Sequence, residues 1–154
     1  MIRIEDSVEV AASPADSFAF VTRIEGYPAW LPGVVRAEPL DPANGEAVTI
    51  RQGSRFRLVS SGPGGMEIVS TGRVEALDPP RSITIDASSG LFGLTATCTV
   101  EVLGETRSRI IVRAAVEPRG LATLASGRIE KELRAAVPDT LRRLRETVEA
   151  PPAE

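Results

Sequence analysis

No histidine occurs anywhere among the 154 residues. That removes Ser-His-Asp and Cys-His catalysis and every histidine-based metal site. There is one cysteine, Cys98, so no internal disulfide can form, which fits a reducing compartment. No run approaches the length of apolar residues that a membrane-spanning helix needs. The opening "MIRIEDSVEV" alternates instead of presenting a charged head and an apolar run, so no secretory signal is expected and a cytoplasmic location is. Net charge is -3, with 18 basic and 21 acidic residues, which speaks against a nucleic-acid partner. The glycine-rich stretch "SSGPGGM" (60–66) lacks the Lys-Ser/Thr of a phosphate loop and reads as a turn. No cofactor and no metal site is expected.

Aromatics are also scarce: four Phe, one Tyr and one Trp. Two of them, Tyr27 and Trp30, fall in "EGYPAWLPGVV" (25–35), between prolines and glycines that forbid a long helix or a central strand. Around this stretch the order of elements is legible. Residues 2–10 alternate, with Ile2, Ile4, Val8 and Val10 on one face. Asp6 falls in the same inward phase, and a bulge there would turn it outward. "ASPADSFAFV" starts a short helix, with Ser13 as N-cap, Pro14 at the first helical position and Asp16 in the first turn. A second short helical turn follows, broken by Pro28, Pro32 and Gly33.

Strand signals then fill the middle. Segments 34–40, 53–61, 66–77, 82–87, 91–102 and 108–116 alternate, with tight turns between several of them. Phe56, Leu58, Met66, Ile68, Phe92, Leu94, Cys98, Ile110 and Val112 share the inward phase. Arg55, Arg57, Arg73, Arg109 and Arg113 point outward and read as a solvated face. In the last third the period changes. Ile129, Leu133, Val137, Leu141, Leu144 and Val148 form one helical stripe, which predicts a long helix over 121–149 bent near Pro138. Seven antiparallel strands with one apolar face need a cover, and this helix is the obvious one.

This order and wording resemble the START-like or SRPBCC superfamily, the helix-grip fold, and within it the polyketide cyclase/dehydrase and lipid-transport group. The resemblance rests on "VEVAASPADSFAFVTRIEGYPAWLPGV" (8–34), "GSRFR" (53–57), "VEALDPPRSI" (74–83), "GETRSRIIV" (104–112) and "LRRLRETVEA" (141–150). It implies an α+β domain over 1–149 with a flexible tail at 150–154: a curled seven-stranded antiparallel sheet wrapped around the C-terminal helix, with two short helices after the first strand. It also implies a cavity between sheet and helix. Such folds host carriers, cyclases, receptors and oxygenase subunits, so the resemblance speaks to fold before activity.

The expected ligand-binding residues are Trp30, Phe56, Leu58, Met66, Ile68, Phe92, Leu94, Leu133 and Val137. Phe18, Phe56 and Phe92 are the expected neighbours of Trp30. Trp30 itself has two readings: a rigid pocket wall with one N–H donor, or a plug in the core. Ser54, Ser60 and Ser70 share the inner face and could meet a ligand's oxygen atoms, or Ser60 and Ser70 could sit at strand ends near water. Cys98 reads as a small buried hydrophobe. No catalytic residue is assigned, because the inferred lining is nearly bare of groups that titrate near neutral pH. The favoured function is binding of a small hydrophobic molecule (a lipid, polyketide or aromatic compound) as carrier or sensor. The rivals are a polyketide cyclase/dehydratase using Asp6 and the serines, and a partner-binding module with a solid core. Monomer and homodimer are both open.

Overall fold

The computed structural model describes residues 1–31, 33–40, 50–61 and 65–150. Pro32, the centre of the glycine-rich turn and the tail after Ala150 lie outside the described residues. The strands are β1 (Ile2–Val10), β2 (Val34–Pro39), β3 (Arg55–Ser61), β4 (Glu67–Asp78), β5 (Ser82–Ser88), β6 (Phe92–Val102) and β7 (Ser108–Pro118). They form one antiparallel sheet in the order β1-β7-β6-β5-β4-β3-β2. Helix α1 (Pro14–Val21) and a 3-10 helix (Ile24–Ala29) follow β1, and helix α2 (Ser126–Glu149) closes the chain. This is the helix-grip architecture: a sheet with a long C-terminal helix and short helices after the first strand.

Local chemistry explains the helical ends. The Ser13 hydroxyl accepts from the Asp16 N–H at 3.1 Å, with Pro14 at the first helical position. The Ser108 hydroxyl donates to the Ala12 carbonyl at 3.0 Å, so the fully buried Ser17 hydroxyl donates to Ser108 at 2.6 Å. That chain pins α1 to β7. The long helix starts at Ser126, not at the expected residue 121. Residues Gly120–Ala125 form a separate 3-10 helix. Thr123 and Ser126 donate their hydroxyls to the Gly120 and Thr123 carbonyls, at 2.7 and 2.8 Å, which favours the tighter turn. α2 itself runs on through Pro138.

α2 lies along β1. Arg134 donates to the Arg3 carbonyl at 3.1 Å, and the Glu149 carboxylate accepts from the Ala11 N–H at 2.7 Å. Its C-terminal half is the anchored half. Leu141 and Leu144 are buried, and Val137 and Val148 pack against the same cluster. That cluster runs through Val10, Val21, Ile24, Val74, Ile83, Val100 and Ile110.

One position on the sheet tolerates no side chain. Gly72 faces inward opposite Phe56, and a Cβ there would sit 2.6 Å from the Phe56 ring and 2.5 Å from the Asp86 carbonyl oxygen. Phe56 is fully buried, and the Asp86 carbonyl is backbone that cannot swing aside. Gly72→Ala is therefore expected to cost about 1–3 kcal/mol by overpacking. Chemical denaturation checks this; unchanged stability would mean that the Phe56 ring is not held over Gly72.

Candidate functional site

The inward side chains fall into two groups. Trp30, Phe56, Leu58, Val74, Ile83, Ile85, Ala87, Cys98, Val100 and Ile110 are buried in one packed cluster with the C-terminal half of α2. A second group is apolar and inward but only half-buried and outside that cluster: Ile4, Ile68, Phe92, Leu94, Ala114 and Val116. Most of these are neighbours by register. Leu94 pairs with Val116 across β6–β7, and Ala114 pairs with Ile4 across β7–β1. On α2, Ile129 and Leu133 are likewise half-buried and outside the cluster, on the stripe that carries Leu141 and Leu144. The sheet residues and this pair on α2 thus both carry apolar surface that stays half-buried.

The sequence-derived residues divide between these groups. Phe92, Leu94, Ile68 and Leu133 belong to the half-buried set, and Val137 stands at its boundary with the packed cluster. Trp30, Phe56 and Leu58 lie in the packed cluster, at 2%, 0% and 4% exposure. Met66 precedes β4 and is 51% exposed. Ile4, Ala114, Val116 and Ile129 were absent from the sequence-derived set. Strand alternation and the helical stripe mark all four as inward, and only the depth of packing separates them from core residues.

Trp30 is held on two sides. The Tyr27 ring meets it edge-on, with centroids 5.6 Å apart, and the Phe20 ring lies 6.5 Å away. Phe20 and Tyr27 take the places expected of Phe18, Phe56 and Phe92 as its ring neighbours. Phe18 packs half-buried against the cluster. The reason is the short helical turn: Tyr27 is three residues before Trp30, and the Trp30 N–H donates to the Tyr27 carbonyl at 3.1 Å. The Tyr27 hydroxyl donates to the Val21 carbonyl at 3.3 Å, and burial pushes its pKa well up.

The polar inventory of the interior is small. Burial pushes the Cys98 thiol up to about 12, so it stays a neutral thiol near neutral pH. The Ser54 hydroxyl accepts from the Arg51 N–H at 3.0 Å. Ser70 is fully buried, which removes the expectation that it sits near water at a strand end. Two buried polar atoms, Trp30 Nε1 and Ser70 Oγ, have no hydrogen-bond partner among the described residues. Among the described residues no cluster of three His, Cys, Asp or Glu side chains is arranged to hold a metal ion.

Asp6 departs from the expected bulge. β1 keeps continuous register with β7, and Asp6 stands opposite Val112 in the inward phase. It is nonetheless exposed, with its carboxylate accepting from the Ser7 N–H at 2.8 Å. β1 is an edge strand whose middle is incompletely covered, so water reaches Asp6 without a bulge. Asp6→Asn is expected to leave ligand affinity, and any activity, within a few-fold of wild type. A loss of about a hundredfold or more, the usual reach of general acid–base help, would make Asp6 catalytic.

Two recesses open on the outer face of the sheet and include no residue of α2. One, of about 850 Å³, is bordered by Glu5, Asp6, Glu9, Glu101 and Arg109; the other, of about 560 Å³, by Arg55, Arg73, Asp86 and Arg119 together with Met1, Leu94 and Ala115. Arg109 bridges Glu9 and Glu101 at 3.0 and 3.4 Å, and Arg73 meets Glu75 at 2.9 Å. These exposed pairs contribute little to stability.

Fold and interior together define a helix-grip protein with an apolar inner face. More narrowly, residues 1–149 match the family described as polyketide cyclase / dehydrase and lipid transport, and the chain belongs to that family. No curated protein matches it. Among solved structures it is similar to the aromatase/cyclase Zhui of a Streptomyces species, at 18% identity and a TM-score of 0.70, covering 96% of this chain and 93% of that one. A START superfamily protein from Mycobacterium smegmatis is 21% identical, with a TM-score of 0.64, covering 94% and 99% of the two chains. The di-domain aromatase/cyclase BexL is 18% identical with a TM-score of 0.71, and the match covers 97% of this chain. This chain spans about half of that di-domain, 47% of its length. At these identities the likeness concerns the fold alone. No helix among the described residues is long and apolar enough to cross a membrane.

Proposed function

We propose that this protein binds a small hydrophobic molecule between the curled sheet and the N-terminal half of α2, as a carrier or sensor of a lipid, polyketide or aromatic compound. One observation carries the reading: Ile4, Phe92, Leu94, Ala114 and Val116 on the sheet and Ile129 and Leu133 on the helix face inward yet stay half-buried. Apolar surface left partly in water costs about 25 cal/mol per Å², and a ligand that covers it recovers that free energy, less the cost of association. Affinity would come from this burial. The family description and the aromatase/cyclase and START neighbours support ligand binding by this type of fold.

The cyclase reading is weaker for this chain. Family members described as cyclases share the fold, but here the candidate carboxylate, Asp6, is exposed, the Cys98 thiol is held neutral, and no histidine exists. Native mass spectrometry of freshly purified protein tests the binder reading. A non-covalently held small molecule, or saturable uptake of an added lipophilic one, is expected. A chain that takes up none would point to a solid-cored interaction module.

A further inference from the structure

We propose that the ligand carries a neutral oxygen atom, and that Trp30 Nε1 and Ser70 Oγ, two buried polar atoms without a partner among the described residues, receive it. This rests on the small-molecule reading above and adds the chemical class of the ligand and the two side chains that recognise it. Trp30 and Ser70 are 2% and 0% exposed, and neither Nε1 nor Oγ has a partner among the described residues. A buried donor without a partner is costly, and native proteins rarely keep one without a use. Here there are two, and Ser70 adjoins the packed cluster to which Trp30 belongs. Ser70 faces inward opposite Leu58 across β3–β4, and Leu58 belongs to the packed cluster that contains Trp30. Two residues before Ser70, with the same inward phase, is Ile68 of the half-buried apolar set. Ser70 thus stands between Ile68 of that apolar set and Leu58 of the packed cluster, the cluster that also holds Trp30.

Their chemistry narrows the class. The indole N–H only donates, and the hydroxyl donates or accepts. Together they suit a ketone, quinone, phenol or ester oxygen. They do not suit a carboxylate or an ammonium group. Asp6, the acidic group in the inward phase of β1, is exposed, and the outward arginines point away, so among the described residues the sheet's inner face offers a buried charge no counter-ion. A plain hydrocarbon would leave both polar atoms unpaired. The neighbouring Tyr27 hydroxyl is already committed to Val21.

Matched probes test this. One pair is acetylnaphthalene and ethylnaphthalene; another is a long-chain methyl ketone, the alkane of equal length and the corresponding fatty-acid anion. Trp30 is the only Trp, so the indole N–H gives a single resonance in the nitrogen–proton spectrum of labelled protein. The ketones are expected to move that resonance downfield and slow its exchange with water; ethylnaphthalene and the alkane are not. Calorimetry is expected to rank ketone above alkane and above fatty-acid anion. Trp30→Phe and Ser70→Ala are each expected to weaken ketone binding about 3- to 10-fold, the range for one hydrogen bond, and to leave ethylnaphthalene affinity unchanged. The spectrum of the unmodified protein decides the matter should Trp30→Phe fold poorly. Binding of both members of a pair with the same response of the indole resonance overturns this inference and leaves the small-molecule reading standing. Tightest binding of the anion also overturns it. Binding of no probe overturns both.

Discussion

Trp30→Ala is expected to lower the stability of the fold by about 3–5 kcal/mol, the range for truncating a buried large aromatic. The indole is 2% exposed and packs edge-on against Tyr27 and beside Phe20, which ties the 3-10 helix after α1 to the core. Its removal leaves a cavity where α1, the 3-10 helix and β2 meet. In a domain of this size the midpoint of thermal unfolding should fall by roughly ten degrees. Denaturant titration followed by circular dichroism measures the loss without using the missing fluorophore. A change under about 1 kcal/mol would show that the neighbours collapse onto the gap or that the turn holds without it. Trp30→Phe keeps most of the packing and should recover more than half of the loss, which separates the aromatic bulk from the N–H.

Ala114→Phe is expected to have the opposite profile: little effect on stability and a large effect on binding. Ala114 is inward, half-buried and outside the packed cluster, beside Ile4 on β1 and opposite Ala96 on β6. A phenyl ring there would occupy the space assigned to the ligand. Removing roughly 100 Å² of ligand contact at about 25 cal/mol per Å² corresponds to ~2.5 kcal/mol, close to a hundredfold in affinity. In a solid core the same substitution would instead cost about 1–3 kcal/mol in overpacking. The two readings of the interior therefore move different measurements.

Much of this architecture is legible in the sequence because it rests on period and punctuation. Alternation of apolar residues marks the strands, Ser13-Pro14 marks the start of α1, and the spacing from Ile129 to Val148 marks α2. Depth is not legible. Phe56 and Leu94 share the same inward phase, yet Phe56 is fully buried over Gly72 and Leu94 is half-buried at the open end. Alternation gives the face of a strand; how far the covering helix reaches along that face is set by α2 docking on β1, a contact between residues far apart in the chain. Asp6 shows the same limit. Its phase is inward as read, but its exposure follows from β1 being an edge strand, which the local pattern does not encode. Ser70 is the converse, a hydroxyl near a strand end that tertiary packing buries completely.

The most direct test of the account is a titration with Nile red, a neutral lipophilic fluorophore, of the wild-type chain and of Ala114→Phe side by side. The account predicts saturable uptake by the wild type at one dye per chain, with the emission shift of an apolar site, and loss of that uptake in Ala114→Phe while its unfolding midpoint stays within a few degrees of wild type. Equal uptake by both chains, or none by the wild type, would contradict it.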